Sequence, residues 1–112
     1  MEFFLLLILA AVLAWRFKPV KGIRTVTAAE LKTMLHDRDK MFIDVRTPGE
    51  YGGRHIKQFK NLPLGSDFSK LQRDKEVIVI CQSGMRSSQA CRQLKKLGFE
   101  KVTNVRGGMN SY

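Results

Sequence analysis

A chain of 112 residues with 44% hydrophobic and 27% charged side chains has room for one folded domain, and this composition excludes a disordered protein. Its two cysteines, Cys81 and Cys91, are too few for a disulfide framework and lack the CxxC or histidine pairing of a zinc site, so no structural metal is expected. The net charge of +10 admits an anionic membrane surface or a small anion as partner, but the basic residues of the body stand singly, without a run or interleaved aromatics, which argues against nucleic acid.

The first element in chain order is the uncharged run from Phe3 to Trp15, preceded by Glu2 and succeeded by Arg16, Lys18, Lys21 and Arg24. Positive charge behind an apolar core, rather than ahead of it, is the reverse of a secretory signal and holds the C-terminal body in the cytoplasm. The run is shorter than the roughly 20 residues a spanning helix wants. Snorkelling of Arg16 and Lys18, with Trp15 and Phe17 at headgroup depth, lets a helix over residues 1–17 cross a slightly thinned bilayer. A membrane anchor over 1–17, a basic linker over 18–24 and a folded domain over 25–112 is therefore the expected organisation. Export after cleavage near Ala14 is the alternative, whereas a soluble core helix would not be hydrophobic all round.

In the body, short apolar runs alternate with amphipathic stretches, the pattern of strand and helix units around a parallel sheet. Strands are expected at Ile23 to Val26, Met41 to Asp44, Phe59 to Asn61, Val77 to Ile80 and Val102 to Val105. The uninterrupted β-branched run Val77-Ile78-Val79-Ile80 suits a central strand buried on both faces. Thr27 with Glu30, and Thr47 with Glu50 and Pro48 at the first helical position, read as capping boxes. Ser66 is expected to cap a short helix through Leu71, and Arg86 to Leu97 reads as a helix closed by Gly98.

Between the central strand and that helix lies Cys81-Gln82-Ser83-Gly84-Met85-Arg86, at the carboxyl end of a strand where open α/β sheets place ligands. A loop that curls around the sulfur turns successive N–H groups toward it, and the helix N-terminus adds partial positive charge. Both favour thiolate at Cys81. Gly84 supplies positive φ, Arg86 a fixed charge, and Ser83 and Ser87 hydroxyl donors.

These segments together resemble the rhodanese family over about Thr25 to Gly108. Phe42-Ile43-Asp44-Val45-Arg46-Thr47-Pro48-Gly49-Glu50-Tyr51 is similar to its first signature, His55-Ile56 with Asn61-Leu62-Pro63-Leu64 to its second, Cys81 to Ser87 to its active-site loop, and Gly107-Gly108 to its terminal element. The resemblance implies an α/β fold with a five-stranded parallel sheet flanked by helices. It also implies transfer of a sulfur from a small anionic donor such as thiosulfate, through a persulfide on Cys81, to cyanide or to a thiol or dithiol protein, with no cofactor. Arg54, Gln58 and Phe59 stand where Gly, Gly and Ala are usual, and a terminal Trp is replaced near Tyr112. These departures bear on the entrance to the third strand, not on the cysteine loop.

The resemblance makes Asp44, Arg46 and Glu50 supports of the site, with plain solvated charges as the alternative: Asp44 by hydrogen-bonding the loop or a neighbouring backbone N–H at its strand end, and Arg46 by pairing with Glu50 across a helix start. The resemblance assigns His55 to packing and hydrogen bonding; Cys91 is expected on a buried helix face, with a resolving cysteine as the alternative. Two other functions compete. Phosphatase and arsenate-reductase loops resembling this one place five residues between cysteine and arginine, whereas four separate Cys81 from Arg86, room for one sulfur rather than a tetrahedral oxyanion. A non-catalytic, membrane-tethered binding module usually lacks the cysteine, which this chain keeps.

Overall fold

The computed structural model describes residues 22–112 and builds its sheet around the apolar run Val77 to Ile80. Strand β4 (Glu76–Ile80) lies between β5 (Val102–Val105) and β2 (Lys40–Asp44), with β1 (Ile23–Val26) beyond β5 and the two-residue β3 (Lys60–Asn61) beyond β2. All neighbours are parallel, and Val77 to Ile80 are each 0% exposed. This is the α/β fold with a five-stranded parallel sheet that the sequence implies.

Helices α1 (Ala28–Met34), α2 (Pro48–Gly53), α3 (Met85–Lys96) and the terminal turn α4 (Gly108–Ser111) complete the unit. The period-two alternation of β4 sorts its side chains between two cores. Val77, Val79 and then Cys81 face Ala90, Cys91 and Leu94 of α3, while Ile78 and Ile80 join Leu31, Met34 and Met109 on the opposite face. Alternation thus delivers the Cys81 side chain beneath the start of α3. The pairing of Asp44 with Ile80, continued by the Val45 N–H donating to the Ile80 carbonyl at 3.0 Å, brings the end of β2 level with that cysteine.

Both capping boxes form: the Thr27 hydroxyl accepts from Glu30 N–H at 3.1 Å, the Thr47 hydroxyl from Glu50 N–H at 3.2 Å, and each glutamate returns a bond to the cap N–H. The expected Ser66 cap is corrected. Asp67 caps instead, its carboxylate accepting from Ser69 N–H at 3.0 Å and Ser69 Oγ at 2.5 Å, a charged acceptor with better reach than a hydroxyl one residue earlier. The helix shrinks to a 3-10 turn at Phe68–Lys70 because Leu71 returns to extended backbone. Helix α3 begins at Met85, one residue before the expected Arg86, since left-handed Gly84 occupies the cap.

Phe59, a departure from the family pattern, is 1% exposed and packs its ring 5.2 Å from that of Phe42. Arg54 takes φ −163°, extended backbone that does not need the usual glycine. The entrance to β3 is therefore kept by packing rather than by small residues. The expected apolar helix over residues 1–17 lies outside the described residues; of the 18–24 linker only Gly22 to Arg24 are described, and Ile23 and Arg24 already stand in β1. Among the described residues no helix is long and apolar enough to cross a membrane.

Candidate active site

Cys81 leaves β4 at the carboxyl edge of the sheet, and the chain turns around its sulfur before entering α3. The turn needs Gly84, whose φ of +102° places its N–H 2.9 Å from Cys81 Sγ. A Cβ there would lie 3.4 Å from the Gly107 nitrogen in a backbone conformation that L side chains rarely adopt, so other residues are disfavoured. Cys81 is 0% exposed and forms no disulfide.

Burial alone pushes the Cys81 thiol up, but hydrogen bonds from the Ser87 hydroxyl and the N–H groups of Ser87, Gly84 and Ser83 outweigh it, and the net direction is down. The Ser87 hydroxyl stands 3.3 Å from Sγ and 2.5 Å from Asn104 Oδ1. One hydroxyl carries one proton, so it serves either the amide or the sulfur. Charge on sulfur draws the proton toward Sγ.

Arg86 closes the loop through a two-pronged pair with Glu50, Nη1 to Oε1 at 2.7 Å and Nη2 to Oε2 at 2.9 Å. Arg46 instead pairs with Asp44, which corrects the expected Arg46–Glu50 pair. The reason is local geometry: at the end of β2 the segment Asp44-Val45-Arg46 turns inward, and Asp44 accepts from Arg46 N–H, Nε and Nη2 at 3.0, 3.1 and 2.9 Å. Asp44 and Arg46 are 0% and 3% exposed. Arg46 touches Glu50 only through the backbone carbonyl, at 3.4 Å, and also donates to the Arg54 carbonyl at 2.7 Å and to Gln82 Oε1 at 3.2 Å.

The structure therefore brings together Cys81, Ser83, Gly84, Arg86, Ser87 and, through Arg86, Glu50. Gln82 commits its side chain to Arg46 and to Asn110, and Met85 turns outward at 79% exposure, so neither side chain lines the sulfur. His55 stacks on Tyr51 at 3.9 Å and donates from Nδ1 to the Tyr51 carbonyl at 2.8 Å, a packing role as expected. Cys91 is buried, and desolvation, opposed by the Arg92 charge and reinforced by Cys81, pushes its thiol up to about 12. It stays a thiol at neutral pH. Asn104 is a site residue absent from the sequence expectations, although the one amide in the short strand Val102-Thr103-Asn104-Val105, beside the ligand-binding edge, is a signal for it. Among the described residues no cluster of His, Cys, Asp and Glu is arranged to hold a metal ion.

Hydrogen bonds from Arg86 first, and then from Thr47, lower the Glu50 carboxyl from 4.5 to about 2. Because the folded value is depressed, the pair's contribution to stability is fully present above pH 4.5 and is lost as pH falls toward 2. A carboxyl-carbon NMR titration should show Glu50 moving near pH 2, and Glu50→Gln should flatten the acid limb of the unfolding curve over that window. A Glu50 midpoint at its ordinary value would show that the pair does not persist in solution.

The fold and this loop define a class: a parallel α/β domain presenting one cysteine sulfur to the backbone donors of its own loop, which lower its pKa against its burial. The family model for the rhodanese-like domain matches residues 27–112, and the chain belongs to that family. It is 33% identical over 91 residues to a protein named sulfurtransferase from Allochromatium vinosum, covering 78% of this chain and 85% of that protein. It is 32% identical over 94 residues to a tRNA uridine(34) hydroxylase from Escherichia coli O1:K1 / APEC, covering 76% of this chain but only 27% of the hydroxylase. Among solved structures, a rhodanese-like domain protein from Staphylococcus aureus superposes with a TM-score of 0.72 at 26% identity, covering 79% of this chain and 89% of that one.

Proposed function

We propose that this chain is a sulfurtransferase that carries a sulfane sulfur on Cys81. The observation that carries the reading is the Gly84 N–H held 2.9 Å from the buried sulfur, one of the hydrogen bonds that lower its pKa against the effect of burial. A donor such as thiosulfate supplies the sulfur. The Cys81 thiolate attacks its outer sulfur, the sulfur–sulfur bond breaks, and sulfite leaves with the electron pair. The loop N–H groups, already aimed inward, then hold the negative terminal sulfur without reorganising. A thiolate acceptor or cyanide attacks that sulfur, and Cys81 departs as thiolate.

Arg86 is the charge that would meet an anionic donor. Its pairing with Glu50 fixes the guanidinium at the rim while leaving the rim less positive than a lone arginine would. In the same reading, the apolar run of residues 3–15 and its basic flank tether the catalytic body to the cytoplasmic side of a membrane, near a protein thiol acceptor.

The test is intact mass of the full chain after thiosulfate treatment and desalting, then peptide mapping. The expected result is a gain of one sulfur atom, on the peptide bearing Cys81 and not on that bearing Cys91, removed by cyanide. No gain with thiosulfate would overturn the proposed donor, and no gain with any persulfide donor would overturn the reaction.

A further inference from the structure

The loop around Cys81 is braced from outside as well as by its own bonds. Its outward carbonyls are taken up by the terminal turn α4: Met109 N–H donates to the Cys81 carbonyl at 2.9 Å and Asn110 N–H to the Gln82 carbonyl at 3.0 Å. In a planar trans peptide the C=O and N–H point in opposite directions. A Gln82 carbonyl held on α4 therefore turns the Ser83 N–H the other way, and that N–H is among the donors acting on the sulfur.

The side chains make the same attachment. Gln82 Nε2 donates to Asn110 Oδ1 at 2.6 Å, and Gln82 Oε1 accepts from the buried Arg46 at 3.2 Å, so the Gln82 amide ties the C-terminus to the end of β2. The turn comes this close because Gly108 has φ +56° and no Cβ; a Cβ there would overlap the Cys81 carbonyl oxygen and lie 2.9 Å from the Gln82 carbonyl carbon. Asn110 is exposed and has no packing reason to be an amide.

We propose that Asn110 and Gln82 are positioning residues, joined as one clamp through which α4 keeps the peptide units of the loop turned toward Cys81. The inference rests on Cys81 being the reactive thiol, and not on thiosulfate being the donor.

The experiment uses the full chain with Asn110→Ala, Gln82→Met and the double variant. It measures the pH dependence of iodoacetamide alkylation at Cys81 by peptide mapping, alongside the thermal midpoint. Each single variant should raise the alkylation midpoint by roughly one pH unit, about a tenfold loss of rate below the midpoint. The double variant should add nothing further, because the two residues form one link. A midpoint untouched by the variants, whatever happens to thermal stability, would overturn the clamp, as would additive shifts. A wild-type midpoint no lower than that of a free thiol would overturn both the clamp and the reactive thiolate on which it rests.

Discussion

Cys81→Ser is expected to end sulfur transfer, with a loss in kcat on the order of ten-thousand-fold or more. A serine hydroxyl stays protonated far above neutral pH, and its oxygen does not carry a sulfane sulfur as a persulfide. The fold gives no reason for the variant to fail in another way. Serine is nearly the same size, and it inherits the Gly84 N–H and Ser87 hydroxyl that now stand 2.9 and 3.3 Å from Sγ. Its buried hydroxyl is therefore paired, and stability should change by no more than about 1 kcal/mol. Cys91→Ala, by contrast, should retain turnover while losing packing beneath α3. A cyanide-coupled turnover assay beside a thermal scan separates the two variants. Cys81→Ser turnover within tenfold of wild type would remove Cys81 from the mechanism.

Asp44→Ala should produce the largest loss of stability among the residues around the site. It strands the Arg46 guanidinium, 3% exposed, without its carboxylate. Removing one partner of a buried pair costs about 3–5 kcal/mol, out of the roughly 5–15 kcal/mol that a whole domain possesses. For a domain of this size the thermal midpoint should fall by at least about 12 °C. The backbone is loosened as well, because the lost carboxylate also accepts from Arg46 N–H, leaving the Asn61 amide, which bridges the Asp44 and Arg46 carbonyls at 3.1 and 2.9 Å, to hold the turn. Asp44→Leu combined with Arg46→Met, which removes both charges, should recover much of the loss. Urea unfolding of the three proteins measures this; an Asp44→Ala loss under about 1 kcal/mol would mean that water or the Arg54 and Glu50 carbonyls suffice to hold the arginine.

Local pattern was enough for much of the fold. A run of four β-branched residues, Val77 to Ile80, can lie only in a strand covered on both sides, and the two threonine–glutamate boxes close hydrogen bonds within three residues of themselves. The cysteine loop was legible for the same reason: a strand end, a glycine at positive φ and a helix start are consecutive in the chain, and their geometry comes from covalent connection. The capping of the turn at Phe68 by Asp67 rather than Ser66 was a competition between adjacent oxygens, decided by charge and reach. What sequence could not decide was which partner each charged or amide side chain would meet. Arg46 had acidic residues two and four positions away, Asp44 and Glu50, and only the inward turn at the end of β2 selected Asp44. That choice left Glu50 for Arg86, 36 residues on, and the fold alone brought Asn110 to Gln82 across 28 residues. Sequence thus determined most of the elements and the place of the cysteine loop, because those depend on neighbours in the chain. The tertiary structure decided the ion pairs and the support of the loop, because they depend on strand register and on where the last turn docks.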